Sequence, residues 1–191
     1  MLTQEQVVEI FMKAGALQKG HFKLTSGLHS AEYIEKFRVL ERPELTAVLC
    51  KETAERFKND NITVVVGPVS GGVILSHVTA GFLGVKGIFT ERENGSMCLR
   101  RGFSIGPGER VLVVEDIVTT GKSVFEVLEA VKPSGAKIAG VAVLMDRSGG
   151  KVDFGIRKEA LATLQIETHE PDKCPLCAQG IPVVKPGSRN V

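Results

Sequence analysis

Segments patterned as buried strands alternate along the chain with segments patterned as helices, which predicts an α/β fold with a parallel central sheet flanked by helices. Three observations carry this. Val111 to Val114 is a continuous apolar run, and Ile62 to Val66 is β-branched throughout, as expected of parallel strands buried on both faces. Residues 73–83 and 123–131 have helical apolar spacing and follow those strands. The junctions between them, Gly67 to Gly72 and Thr119 to Ser123, are short and rich in glycine and hydroxyl side chains, as at the strand ends where open α/β sheets bind ligands.

Thr3 and Gln6 form a capping box, and Val7, Val8, Ile10, Phe11 and Leu17 space an amphipathic helix over roughly the first sixteen residues. A short β-like or looped segment follows. Pro43 suits a first helical turn, which Leu45, Val48, Leu49 and Phe57 continue until Asn59, Asp60 and Asn61 break the pattern. The strand over 62–66, the helix over 73–83 and a strand over Gly87 to Thr90 complete a β-α-β unit, and the strand at Val111 begins another. The second helix ends before Pro133, Lys137 to Met145 is a further buried strand, and Leu161 to Ile166 a last one. Glu91 to Glu109 is long, charged and glycine-rich, which predicts a mobile active-site loop. After Glu167 the tail, with Pro171, Pro175, Gly180, Pro182 and Pro186, is expected to wrap the surface.

With 191 residues and 43% hydrophobic content, the chain is expected to form one domain over 1–191, with no linker dividing it. Its 24 basic and 22 acidic residues are dispersed, Trp is absent and Tyr occurs once, so a nucleic-acid partner is not expected. Met1 to Glu5 lacks the charged-then-apolar pattern of a secretion signal. No apolar stretch approaches the roughly 18 residues that span a bilayer. A cytoplasmic protein with no membrane contact is therefore expected.

Arg110 to Ser123 carries most of the chemistry. Glu115 and Asp116 follow the apolar run and are expected at the strand's carboxyl end. Thr119, Thr120, Gly121, Lys122 and Ser123 then supply hydroxyls and a glycine able to take positive φ, so backbone N–H groups can converge on a phosphate at a helix start. Two carboxylates beside one phosphate nest suggest a phosphorylated sugar. Gly121-Lys122-Ser123 also matches the end of a Walker A loop, but that pattern needs glycine where Asp116 stands, and Lys122 is read as solvated. Cys174 and Cys177 have zinc-ligand spacing with His169 nearby, yet no second such pair exists. No metal ligand is assigned: the pair is read as reduced thiols packed in the tail, and His21 and His77 as packing or solvated side chains.

The strand, the two acids, two variable residues and Thr-Thr-Gly together resemble the phosphoribosyl-pyrophosphate (PRPP) motif of the type I phosphoribosyltransferases. Phe22 to Gly27, Gly67 to Gly72, Leu99 to Gly102, Asp146-Arg147 and Cys174 to Cys177 resemble, in order, pieces of the orotate-specific branch of that family, over nearly the whole chain. The resemblance implies the family's fold, with a hood from the terminal segments, and transfer of the phosphoribosyl group of PRPP to orotate. It implies that Glu115 and Asp116 hold the ribose hydroxyls and stabilise charge growing at C1. Ile117, Val118 and residues 119–123 would bind PRPP, with Ser70 and Gly71 beside the pyrophosphate. Some relatives carry a lysine at the position of Gly71.

Orotate would meet Arg147 through its carboxylate, Thr119 on the other side, and backbone near Tyr33 and Ile34. Thr25 and Leu28 stand where many relatives have basic residues. The loop over 91–102 would reach a neighbouring subunit's site, so a homodimer is implied. Relatives use a lysine or histidine there as proton donor, and many carry lysine where this chain has Ser96. Here the loop cations are Arg92, Arg100 and Arg101, whose pKa suits charge stabilisation rather than proton transfer. Mg2+ would be held mainly by pyrophosphate and ribose oxygens. Two alternatives stay open: transfer to a purine or another base, and a PRPP-sensing regulatory protein without catalysis.

Overall fold

In the three central strands, consecutive side chains feed two different cores, which is why their sequences lack polar alternation. The computed structural model describes residues 1–24 and 26–186. Its main sheet has six strands, β3 (Val64–Pro68), β4 (Lys86–Glu93), β5 (Ser96–Leu99), β6 (Arg110–Val118), β7 (Lys137–Asp146) and β8 (Lys158–Thr163), ordered β5-β4-β3-β6-β7-β8. All neighbours are parallel except β4 and β5. Val65, Leu112, Val114, Ala142 and Leu144 enter a core shared with α1 (Gln4–Lys13), α3 (Pro43–Phe57) and α4 (Gly71–Leu83). Val64, Val66, Val111, Val113, Val141 and Val143 enter the other, closed by α5 (Lys122–Val131). The period of two along each strand divides them.

The capping box at Thr3 is present, with Gln6 N–H donating to Thr3 Oγ1 at 3.3 Å and Thr3 N–H to Gln6 Oε1 at 2.9 Å. The β-like segment after α1 is an antiparallel hairpin of β1 (Leu17–Lys23) and β2 (His29–Ile34), apart from the main sheet. A single turn, α2 (Phe37–Leu40), links it to α3. The tail meets this hairpin, pairing Val184 with Phe22 and His169 with His29, and carries the short α6 (Pro175–Ala178).

Two expectations need correction. The segment from Glu91 is not loop throughout, because β4 runs on to Glu93 and turns at Asn94-Gly95, both at positive φ, into β5. An Asn-Gly pair favours this tight reversal, since both central positions of the turn need left-handed backbone. Only residues 100–109 connect without regular structure. The last strand is Lys158–Thr163, three residues earlier than expected, because its pairing with β7 rather than its apolar centre decides its extent. Glu115 and Asp116 lie in the carboxyl-terminal part of β6, which continues to Val118.

Phe57 is fully buried at the end of α3, with the Arg157 guanidinium 4.4 Å from its ring centroid. A Cβ on Gly140 of β7 would lie 2.7 Å from its Cε1. Phe57→Ala should therefore lower the unfolding free energy by about 3–5 kcal/mol. Urea unfolding followed by circular dichroism measures this, and a loss under about 1 kcal/mol would mean that the site collapses freely.

Candidate active site

Strand alternation sends Glu115 and Asp116 to opposite faces of β6. Asp116 faces α2 and α4, where its Oδ1 accepts a hydrogen bond from Lys36 Nζ at 3.0 Å and its Oδ2 lies 2.7 Å from the same ammonium. Oδ2 has no aligned hydrogen-bond partner among the described residues. Glu115 faces α5, and its Oε1 accepts from the Asp116 N–H at 2.9 Å. Both carboxyls are almost wholly buried, at 6% and 2% exposure. Burial first, and the neighbouring Asp116 charge second, push Glu115 up to about 8. Burial also raises Asp116, against the pull of Lys36. Lys36 itself is raised, because the pair with Asp116 outweighs its own desolvation.

This packing gives Gly71 a reason. A Cβ there would fall 1.9 Å from Asp116 Oδ2, so no side chain, and no lysine, fits without displacing the carboxylate. Gly67 and Gly72 are in equally close contact, with a Gly67 Cβ landing 2.2 Å from the Gly72 carbonyl oxygen. Ser70, exposed, precedes α4.

Beyond Val118 the chain turns through exposed Thr119 and Thr120 to Gly121, whose φ of 76° starts α5. A side chain at Gly121 would also strike Val152 and Phe154, at 2.7 and 2.9 Å, so conformation and space both require glycine. Glu115, Ile117 and residues 118–124 line a small open cleft of about 60 Å³. The first-turn amides of α5 lack intrahelical partners, and the positive end of the helix lies at this cleft; the Lys122 N–H donates to Thr120 Oγ1 at 3.4 Å. Lys122 is exposed, as its reading as a solvated side chain requires.

Arg147 follows β7, the neighbour of β6, and its N–H donates to the Val118 carbonyl at 2.8 Å, which pins it beside the cradle. Its Nε is buried without a partner among the described residues. Burial lowers its guanidinium from the ordinary value, while Tyr33 and Glu32 work the other way, so β2 faces this cation. Asp146, by contrast, is occupied: Lys158 Nζ donates to Oδ2 at 2.8 Å, and Ser148 donates to Oδ1 through N–H at 2.8 Å and Oγ at 2.6 Å. Burial would raise this carboxyl, but Lys158 and Ser148 hold it below its usual range. It anchors the turn that presents Arg147.

Tyr33 is half-buried, tilted against Phe22 with ring centroids 5.6 Å apart, and Ile34 is buried in the core behind it. Thr25 lies outside the described residues. Arg92, Arg100 and Arg101 do not meet the two acids. Arg92 is bound to Glu126 of α5 and the Gly95 carbonyl, Arg100 lies 3.3 Å from Glu93, and Arg101 donates to Glu91 at 2.8 Å. Lys36 was missed, because one lysine among many carries no local mark and reaches Asp116 only across 80 positions of sequence.

Residues 39–167 match the family described as the phosphoribosyl transferase domain. The chain is 56% identical to an orotate phosphoribosyltransferase of Pelotomaculum thermopropionicum over 190 residues, covering 100% of both chains. It is 52% identical to the orotate phosphoribosyltransferase of Thermotoga maritima, covering 97% of this chain and 99% of the other. Among solved structures, the orotate phosphoribosyltransferase of Aeropyrum pernix is similar with a TM-score of 0.71 at 28% identity, covering 83% of this chain and 94% of that one. An adenine phosphoribosyltransferase of Thermoanaerobacter pseudethanolicus shares the fold, with a TM-score of 0.67 at 14% identity over 83% of this chain and 99% of that one.

Glu115 ionises near 4.5 when unfolded and near 8 in the fold, so the folded state keeps an extra proton between those values. Its contribution to stability is complete below pH 4.5 and is lost as pH rises through about 8. Glu115→Gln should make the decline of unfolding free energy across that window shallower in urea titrations at a series of pH values. An unchanged slope would place the proton elsewhere. Gly71→Ala, with Asp116 in its way, should cost about 1–3 kcal/mol in the same measurement, and a fully stable variant would show that the carboxylate moves aside freely.

Proposed function

The chain belongs to the phosphoribosyl transferase family, and from that premise we propose that it is an orotate phosphoribosyltransferase, converting orotate and PRPP to orotidine 5-phosphate and pyrophosphate in pyrimidine nucleotide synthesis. The bond from ribose C1 to the pyrophosphate oxygen breaks, a bond from C1 to the orotate ring nitrogen forms with inversion, and that nitrogen gives up its proton. The observation that carries the acceptor assignment is Arg147, a half-buried cation whose Nε has no partner among the described residues and which is held beside the turn into α5. A planar fork of this kind suits a carboxylate. Tyr33 and Ile34 would supply backbone groups to the pyrimidine edge, and Thr119 its other side.

Glu115 and Asp116 would receive the ribose hydroxyls from the two faces of β6, and negative charge there stabilises the positive charge growing at C1. For that Glu115 must ionise, which substrate hydroxyls and cations would assist against a carboxyl raised to about 8. The amides of Thr119 to Ser123, with Ile117 and Val118 beneath them, would bind the 5-phosphate. Ser70 and the Gly71 backbone would line the pyrophosphate. Asp116 Oδ2 already lies 2.7 Å from the Lys36 ammonium, so these carboxylates leave a divalent cation to be held through the substrate. Mg2+, held mainly by substrate oxygens, would neutralise charge on the departing pyrophosphate.

The hairpin of β4 and β5 is proposed to reach across a homodimer, releasing Arg92, Arg100 and Arg101 from their carboxylates to meet pyrophosphate. With no lysine or histidine from 91 to 102, its role is charge stabilisation. The enzyme would work in the cytoplasm as one domain over 1–191, its terminal segments forming the hood. Among the described residues no helix is long and apolar enough to cross a membrane.

Loss of orotate absorbance with PRPP and Mg2+, beside uracil, adenine and hypoxanthine, tests the activity. Turnover of a purine and not orotate would overturn the acceptor. Arg147→Ala should raise KM for orotate by roughly 10- to 150-fold, the loss of a charged hydrogen bond, with KM for PRPP little changed. The opposite pattern would move Arg147 to the PRPP side. Asp116→Asn should reduce kcat by about tenfold or more with the fold intact, and unchanged turnover would remove it from the chemistry.

A further inference from the structure

The zinc pattern that stops at two cysteines in the sequence is completed in space. His21 of β1 and His29 of β2 stand against Cys174 and Cys177 of the tail, with the four ligand atoms all within 4.8 Å of one another. His21 Nε2 lies 2.9 Å from His29 Nδ1, 3.5 Å from Cys174 Sγ and 3.7 Å from Cys177 Sγ, and Cys177 Sγ is 3.3 Å from His29 Nδ1. A tetrahedral zinc with bonds of about 2.3 Å to sulfur and about 2.0–2.1 Å to nitrogen needs donor separations of roughly 3.3–3.8 Å.

Hydrogen bonding alone does not explain the cluster. His21 Nδ1 is 2.7 Å from the Ile181 carbonyl oxygen, which can only accept, so the ring hydrogen sits on Nδ1. Nε2 then offers a single lone pair to three neighbours. A cation at the centre would receive all four donors at once. The bond from Nδ1 to a backbone carbonyl is also the outer contact that orients metal-bound imidazoles.

We propose that His21, His29, Cys174 and Cys177 bind a structural zinc ion that ties the β1–β2 hairpin to the tail across more than 150 residues of sequence. Two imidazoles and two thiolates close the tetrahedron and select zinc over magnesium or calcium. No position remains for substrate, so the ion is not catalytic. Its work is to fix β2, the strand that carries Tyr33. His169 contributes backbone to this junction, through paired bonds with His29, and lies outside the ligand set.

Elemental analysis of protein purified under reducing conditions and reconstituted with Zn2+ should find one zinc per chain. Zinc should fall below about a tenth of that in Cys174→Ser/Cys177→Ser, while Cys98→Ser keeps it. The wild-type apoprotein titrated with Co2+ should show the visible bands of a tetrahedral thiolate site, saturating at one equivalent. Zinc restored to apoprotein should raise Tm by about 5 °C or more. This reading is distinguishable from the enzymatic one, because metal content and the cobalt spectrum do not require turnover. A wild-type protein that takes up less than about a tenth of an equivalent of either ion would overturn it, as would zinc retained by the double variant.

Discussion

Two carboxylates on consecutive residues of a strand buried on both faces are the constraint around which this molecule is arranged. Ionised carboxylates are costly away from water, so β6 needs compensation on each side. On one face Lys36 reaches Asp116 from the junction of β2 and α2, and Gly71 removes its side chain so that α4 can start against the carboxylate. On the other face the Glu115 carboxyl has only the Asp116 amide as a hydrogen-bond partner among the described residues, and burial pushes it up to about 8. Such unresolved electrostatics at a sheet edge mark a site kept for a ligand at some expense in stability.

The parallel sheet then decides what else arrives at that edge. Because β7 lies beside β6 in register, Arg147 emerges next to Val118 and is bonded to it, which brings its guanidinium close to the turn that starts α5. Asp146 holds the turn in place through Lys158 and Ser148, so the aspartate and the arginine of one dipeptide have separate duties: the first positions, the second remains available. The β4–β5 hairpin holds its arginines on nearby carboxylates. Ion pairs on exposed hairpins are weak, which leaves those cations exchangeable.

Local patterns made the central sheet legible. Runs such as Val111 to Val114 report burial on two faces, Thr3 and Gln6 report a helix start, and the glycine and threonines after β6 report the turn into α5, because each signal is contained within a few residues. The hairpin at Asn94-Gly95 was also within reach of local reasoning, as that dipeptide favours a tight turn, but the surrounding charge suggested a loop. The limits of β8 depended on its partner strand, and no local feature of 158–166 marks them.

The amino-acid sequence by itself determined the order of strands and helices, the acid pair and the cradle beside it, since these follow from side-chain period and backbone freedom over neighbouring residues. Only tertiary structure decided that Lys36 answers Asp116, that Gly71 must be bare, that Arg147 keeps a nitrogen unpartnered among the described residues, and that two histidines join Cys174 and Cys177. The contacts among these join groups 45 to more than 150 positions apart, set by how layers pack, and no short window of sequence contains both members.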